Sequence, residues 1–240
     1  MVTDRVKHTI EGYTPHELSI VTEPFQPDGY RRKETPMKVL VACEFSGTVR
    51  DAFRARGHDA MSADILPTDK PGPHYQGDVL DLLREPFDLV IAHPPCTYLT
   101  NSGVVWLHRD PERWEHMRAG AEFFRLMSTF NAPRIAIENP IQHKYAVEAH
   151  GLGRQAQVVQ PWWFGHTEQK ATGLWLFGLP KLVANADADR TRARMMELPK
   201  RERERLHYLS PSADRWKERS KTFTGLAASM AEQWGKEAGA

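Results

Sequence analysis

Two residues of this chain have side chains and positions suited to covalent chemistry on an electron-poor ring. Cys96 lies just after an apolar run, residues 87–92, and two prolines precede it directly. Glu138 follows a second apolar run, residues 134–137. If both runs are strands of one parallel sheet, they bring a thiol and a carboxylate to the same edge. A soft nucleophile beside an acid is the equipment for attack on such a ring.

The elements that must position these residues alternate along the chain. Short apolar runs predict buried strands at 38–43, at 87–92, at 134–138 and in a stretch that ends at Asp64. Helical patterns at 48–56 and 110–130 lie between them, the second beginning at Asp110 and Pro111. This alternation through residue 150 predicts an α/β fold with a doubly wound, mostly parallel sheet.

The chain of 240 residues, 40% of them hydrophobic, predicts one substantial core with appendages. Residues 1–36 are polar, contain four prolines and are expected to form an N-terminal extension. A cofactor-binding and catalytic core at 37–150 is followed by a small strand-rich addition at 151–189, with strands at 157–160 and 174–177. A basic connecting segment at 190–221, partly helical at 197–206, leads to 222–240, which contains a helix at 223–234 expected to pack back on the core.

Composition argues against several classes of protein. Two cysteines, with no disulfide framework and no CxxC pair, fit a reducing cytosol, so we expect a cytoplasmic protein. There is no secretion signal and no apolar run near the roughly 20 residues that span a bilayer, so no membrane association is expected. None of the eleven histidines pairs with another at the helical spacing of a zinc site, and we expect no metal.

Charge is local rather than global. The formal net charge is +1, yet residues 190–221 contain eleven Lys or Arg against five Asp or Glu. Such a segment is either a solvated linker or a surface that contacts phosphates.

The carboxyl ends of the predicted strands also carry residues suited to a nucleoside cofactor. Gly47, in the turn after the first strand, lets backbone approach a ligand, and Asp64 can accept hydrogen bonds from ribose hydroxyls. Cofactor contact is the favoured role for Asp64 and Asp78, and the alternative is that they cap helices or turns. A Gly-rich phosphate loop needs more glycines than this turn has.

The motifs, taken in order, resemble those of the cytosine-C5 DNA methyltransferase family, in its short, phage-type branch. The matching segments are residues 45–47 for the cofactor turn, Asp64 for the ribose-binding acid, 77–79 for the adenine side, 94–96 for the nucleophile, and 138–140 for the acid. Residues 219–225 and the helix after them resemble the final motif of that family, which packs against the cofactor pocket.

The resemblance implies S-adenosylmethionine as the methyl donor and a cytosine of DNA, flipped out or single-stranded, as the acceptor. Cys96 would attack C6, and Glu138 would hydrogen-bond N3 and the exocyclic amine. The implied cofactor-binding residues are Glu44, Phe45, Ser46, Gly47, Asp64, Asp78, Val79 and Pro94. The implied substrate-binding residues are Pro95, Asn139, Pro140, Lys170 and Thr172.

The chain also departs from the family pattern. Only about eighty residues separate Glu138 from Arg219, so a full target-recognition domain is missing. The alternatives are therefore the same chemistry on a free cytosine nucleotide or RNA, or a catalytically silent relative that binds nucleic acid. The sequence leaves open the target sequence, the oligomeric state, any partner that supplies recognition, and whether the transferred group is a plain methyl.

Overall fold

A seven-stranded β-sheet runs through the part of the chain that the computed structural model describes, residues 35–236. The strands are β1 (Lys38–Ala42), β2 (Asp59–Asp64), β3 (His74–Gln76), β4 (Leu89–Ala92), β5 (Ile135–Pro140), β6 (Gln157–Val159) and β7 (Thr172–Phe177). Their order across the sheet is β3-β2-β1-β4-β5-β7-β6. All of these strands run in the same direction except β7, which is antiparallel to both of its neighbours, β5 and β6.

Helices cover both faces of this sheet. They are α1 (Thr48–Arg54), α2 (Glu112–Leu126), α3 (Lys144–His150), α4 (Ala188–Glu197), α5 (Lys200–Arg203), α6 (Arg215–Ser220) and α7 (Thr224–Trp234). Short 3-10 helices span Val79–Leu82, Asn101–His108, Met127–Thr129 and Pro161–Phe164. The expected α/β fold with a doubly wound, mostly parallel sheet is confirmed.

The core has two parts because successive residues of a strand point to opposite faces of the sheet. Val39 and Val41 of β1 pack with α1 and α7 on one face, whereas Leu40 and Ala42 pack with α2 on the other. Burial on both faces explains why these strands are continuous apolar runs rather than alternating ones.

The expected elements correspond closely to observed ones. The runs at 38–43, 87–92 and 134–138 are β1, β4 and β5, and the helical patterns at 48–56, 110–130 and 223–234 are α1, α2 and α7. In the segment expected to be partly helical at 197–206, α5 forms at Lys200–Arg203. The proposed extension at 1–36 lies outside the described residues except for its last two positions.

Three helices were not expected from the sequence, namely α3, α4 and α6. In α4 only Ala188, Thr191 and Met195 are buried, so its apolar stripe is narrow and one of its members is polar. In α6 no residue is buried. Such helices give little periodic signal.

The glycine at the start of α7 is required by packing. A Cβ at Gly225 would collide with the backbone carbonyl oxygen of Phe164, and the Gly225 N–H donates a hydrogen bond to His166 Nε2 at 3.0 Å. Gly120, in the middle of α2, has only Leu99 side-chain atoms near its Cβ position, the closest at 3.6 Å. The two helical glycines therefore differ in what an added methyl group meets.

We expect Gly225→Ala to lower the free energy of unfolding by about 2 kcal/mol or more, because the methyl group must displace backbone. Gly120→Ala is the matched control and should raise stability by up to about 1 kcal/mol through helix propensity. Urea unfolding followed by circular dichroism measures both. Equal midpoints for Gly225→Ala and the unsubstituted protein would contradict the role given to this packing.

Candidate active site

The carboxyl ends of β1, β4 and β5 and the loops after them, which carry most of the predicted site residues, lie where the order of the strands reverses. β1 lies between β2 and β4, and its last residue Ala42 pairs with Ala92, the last residue of β4. Ala92 in turn pairs with Ile137, so His93 and Glu138 are next to each other on neighbouring strands. In open α/β sheets this reversal point is where ligands bind.

Lys170 and Thr172 reach the same edge because β7 is antiparallel. Thr172 begins β7 and pairs with Pro140 at the end of β5. Thr172 is buried, and its hydroxyl donates a hydrogen bond to the carbonyl oxygen of Lys170 at 3.3 Å. The strand order thus assembles Cys96, Glu138, Lys170 and Thr172 on adjacent strand ends.

Glu138 is hydrogen-bonded to a residue that the sequence analysis did not single out. His93 Nδ1 lies 2.7 Å from Glu138 Oε2, and the two side chains are only 8% and 10% exposed. Burial alone would lower the pKa of His93, but the hydrogen bond and charge of Glu138, with the charge of Glu44, raise it above its usual value. Burial alone would raise the pKa of Glu138, but His93 and the charge of Lys170 bring it below its usual value. Each member of the pair therefore favours the charged form of the other.

Cys96 lies in a mixed electrostatic environment. Burial and the charge of Glu138 raise the pKa of its thiol, while the positive charges of Lys170 and Arg219 oppose that rise. The net shift is upward, so Cys96 is a neutral thiol at neutral pH in this structure. The local positive field that a reactive cysteine needs comes from Lys170 and Arg219.

Asn139 holds the Cys96 loop in place. Its side-chain amide donates a hydrogen bond to the carbonyl oxygen of Pro94 at 2.8 Å and accepts one from Gln142 Nε2 at 3.2 Å. Gln142 Oε1 lies 2.9 Å from Nε2 of His150, whose pKa burial lowers to about 4. This neutral, buried chain fixes Pro94 relative to β5. Pro94 is buried, whereas Pro95, next to Cys96, is exposed.

The turn after β1 is a helix cap. The carboxylate of Glu44 accepts hydrogen bonds from the backbone N–H groups of Val49 and Arg50, at 2.7 and 3.2 Å, and from the Ser46 hydroxyl at 3.2 Å. These donors belong to the start of α1, which otherwise lacks a side-chain cap. Glu44 thus supports the turn that the sequence assigns to cofactor binding.

Gly47 has a structural reason of its own to be glycine. Its φ is +68°, and a Cβ there would collide with the guanidinium of the fully buried Arg50. That guanidinium contacts Ser62 Oγ and the carbonyl oxygens of Lys70 and Pro71, at 3.2 to 3.3 Å. The buried arginine therefore explains the glycine without a ligand.

Asp64 and Asp78 both lie near the β1 loop, since both charges raise the pKa of the partly buried Cys43 thiol, with desolvation the larger cause. Asp64 accepts a hydrogen bond from the Leu66 N–H at 2.9 Å, and partial burial raises its pKa. Asp78 is exposed and caps the 3-10 helix by accepting from the Leu80 N–H at 3.0 Å. Val79 is buried in the core.

A C-terminal strap, residues 215–222, lies over this edge. The ring of Trp216 contacts that of Phe45 at 5.8 Å between centroids, and Lys221 Nζ lies 3.4 Å from a carboxylate oxygen of Asp69. Lys170 Nζ donates a hydrogen bond to the Arg219 carbonyl oxygen at 3.0 Å. Beneath the strap is a cavity of about 40 Å³, lined by Cys43, Glu44, Phe45, Ser46, His93, Ser220 and Thr222.

The described residues contain no group of three or more His, Cys, Asp or Glu that could hold a metal ion. Nor does any helix between residues 35 and 236 have the length and apolar character needed to cross a membrane.

No protein-family model and no curated protein matches this sequence. Among solved structures, the chain is similar to a prophage-encoded protein of E. coli described as a DNA modification methyltransferase, at 20% identity and a TM-score of 0.36, covering 57% of this chain and 45% of that one. It is also similar to WbdD bound to a kinase inhibitor, at 14% identity and a TM-score of 0.36, covering 59% of this chain and 36% of that one. A second WbdD structure has 13% identity, a TM-score of 0.35, and coverage of 63% and 37%. The chain spans less than half the length of each.

The cations beside Cys96 should set how readily its thiol ionises. Lys170→Met removes one of the charges that lower the pKa of Cys96, so the rate of alkylation by iodoacetamide should need a pH about one unit higher to reach half its maximum. Lys170→Arg keeps the charge and serves as the matched control. Mass spectrometry of the Cys96 peptide measures the rate. An unchanged pH profile in Lys170→Met would show that Lys170 does not act on this thiol.

Proposed function

We propose that this chain transfers a methyl group from S-adenosylmethionine to C5 of cytosine in DNA, through a covalent bond between Cys96 and C6. One observation carries the proposal most directly. The β4 and β5 register brings Cys96 and Glu138 to one strand edge, close enough for the carboxylate to influence the thiol. That edge is also where the order of the strands reverses.

The two residues have complementary tasks. The thiolate of Cys96 adds to C6, which makes C5 nucleophilic enough to accept a methyl group. Glu138, at the end of β5, hydrogen-bonds N3 and the exocyclic amine and so stabilises the electron-rich ring. Lys170 supports the thiolate by its charge, and Asn139 keeps Pro94 and the loop that leads to Cys96 in position.

The chain's residues fit the proposed cofactor. The carboxylate of Asp64 suits the ribose hydroxyls, Asp78 and Val79 flank the adenine side, and the segment Glu44–Gly47 borders the cavity beneath the strap. His93 presents a buried Nε2 atom with no hydrogen-bond partner among residues 35–236, which favours a polar ligand there. When bound, S-adenosylmethionine supplies an electrophilic methyl group.

The strap must move for this cofactor to enter. The cavity of about 40 Å³ holds a few water molecules, whereas pockets for such ligands usually measure about 300 Å³ or more. Ser220 and Thr222 line the cavity from the strap side, and the exposed ion pair from Lys221 to Asp69 is weak. Movement of residues 215–222 away from Phe45 would open the space and would also separate the Trp216 and Phe45 rings and break the hydrogen bond from Lys170 to Arg219.

The distribution of charge favours a polyanionic substrate over a free nucleotide. The basic segment 190–221 has an excess of six positive charges in a chain whose net charge is +1. Its last residues form the strap beside Lys170 and Cys96. Arg190, Arg192 and Arg194 of α4 are exposed, and Arg192 lies over the Trp162 ring at 5.5 Å. A phosphate backbone would complement these charges.

The covalent step is tested with single-stranded DNA that contains 5-fluorocytosine, together with S-adenosylmethionine. Fluorine at C5 blocks the last elimination, so we expect a stable adduct on Cys96, located by mass spectrometry of the digested protein. Cys96→Ser should form no adduct and lose methyl transfer by at least about a thousandfold. DNA with ordinary cytosine is the control. Methyl transfer that survives Cys96→Ser would overturn the proposal.

The substrate form is tested by comparing methyl transfer to duplex DNA, single-stranded DNA, RNA and dCMP at two salt concentrations. Arg190→Gln combined with Arg194→Gln should reduce transfer to DNA about tenfold and weaken its salt dependence, because phosphate contacts release counterions. Arg84→Gln combined with Lys181→Gln, which changes exposed cations by the amino ends of the parallel strands, is the matched control. Transfer to dCMP that exceeds transfer to DNA would favour the nucleotide alternative.

A further inference from the structure

His93 lies between the two halves of the candidate site. Its Nδ1 atom is 2.7 Å from Glu138 Oε2, on the substrate side. The same ring lines the cavity beneath the strap, and its Nε2 atom is buried without a hydrogen-bond partner among the described residues. A histidine in this position contacts the acid directly and forms part of the cofactor-side wall.

We propose that His93 and Glu138 hold one proton between them and that this proton is delivered by Glu138 to N3 of the cytosine. His93 acts through Glu138 and is therefore a positioning residue that stores the proton. This inference rests on the proposed function and adds to it a residue that the sequence motifs do not contain.

A lone carboxyl group at this site would be a poor acid. Lys170 lies close enough to stabilise the carboxylate of Glu138, and the same charge favours the thiolate of Cys96. The positive charge of Lys170 that favours the Cys96 thiolate thus also favours the unprotonated form of Glu138. An imidazole retains its proton to higher pH than a carboxyl group does, so a directly bonded histidine restores the proton supply.

The groups that face the pair come from three elements. Glu138 on β5 and Glu44 after β1 act on His93 with negative charge, and Lys170 before β7 acts on it with positive charge. Burial raises the pKa of Glu138, but the hydrogen bond and charge of His93 and the charge of Lys170 bring it below its usual value. The hydrogen bond and charge of Glu138, with the charge of Glu44, outweigh burial and Lys170 and raise the pKa of His93.

The proton count balances in the addition step. The Cys96 thiol first gives its proton to solvent water. The resulting thiolate sulfur forms a bond to C6, the C5–C6 electron pair shifts to C4–C5, and the C4–N3 pair moves to N3. Glu138 takes the proton of His93 Nδ1 and passes it to N3. The pair changes from neutral to one negative charge while the thiolate loses its charge. When Cys96 leaves, the N3 proton returns to the pair.

Shared protonation is tested without substrate by NMR titration of the full chain labelled at histidine. The pKa of His93, whose signals are assigned by their loss in His93→Asn, should lie above the ordinary histidine value and fall by at least about one unit in Glu138→Gln. Circular dichroism checks whether the Glu138→Gln variant is folded. If that variant does not fold, the titration of unsubstituted protein decides alone, and a His93 pKa at or below the ordinary value overturns the proposal. The proposal is also overturned if His93 has the same pKa in the unsubstituted protein and in folded Glu138→Gln.

Delivery to the substrate is tested by the pH dependence of methyl transfer in His93→Asn. The asparagine amide nitrogen can replace Nδ1 as a donor to Glu138, yet it cannot supply a proton. Above the pKa of the remaining carboxyl group, the rate should fall about tenfold per pH unit, so the alkaline limb should move to lower pH with a small change in KM. His116→Asn, a change at an exposed ring stacked on Tyr98, should keep the original profile.

A uniform loss of rate in His93→Asn with the alkaline limb in place would show a merely structural role and overturn the proposal. The NMR measurement needs no turnover. A shared proton in a chain that methylates none of the four substrates would therefore overturn the proposed function, whereas methyl transfer with an independently titrating His93 would overturn only this inference.

Discussion

The hydrogen bond between His93 and Glu138 is the constraint around which the site is arranged. It joins the first residue after β4 to the fourth residue of β5, so it exists only if these strands pair in the observed register. Leaving one member of a buried charged pair without its partner costs about 3–5 kcal/mol. A slip of one residue would do so and would also turn Cys96 away from the edge. The geometry of the candidate site and the strand register are therefore stabilised together.

Other polar side chains at this edge serve the architecture. Glu44 caps α1, Asn139 fixes the Pro94 carbonyl oxygen, and Asp78 caps a 3-10 helix. The sequence alone assigns these three residues to ligand binding. Their hydrogen bonds also make them supports that hold neighbouring backbone where a ligand or substrate would meet it. Rigid loops of this kind reduce the ordering that binding must impose.

The sequence predicts the scaffold well because buried parallel strands are apolar runs, and such runs end where functional loops begin. Cys96 and Glu138 could be placed on one edge for this reason. His93 could not, since its partner is 45 residues away and only the register of β4 and β5 brings them together. A sequence prediction that Ala92 pairs with Ile137 would have placed His93 beside Glu138. Gly47 is a similar case, because its requirement comes from the distant packing of Arg50 against Lys70 and Pro71.

A conflict between the two groups that we propose to react explains why a third residue belongs here. The charge of Glu138 raises the pKa of Cys96, so a carboxylate beside the thiol opposes formation of the nucleophile. The cations that offset this effect, Lys170 and Arg219, reach the site from the start of β7 and from the strap. Lys170 then stabilises the charged form of Glu138, in which it cannot act as an acid. A single charge cannot favour both a thiolate and a protonated carboxyl group at one pH. In the proposed reaction, an imidazole bonded to the carboxylate and shielded from solvent satisfies both demands, because it carries the proton while Glu138 remains the group that delivers it.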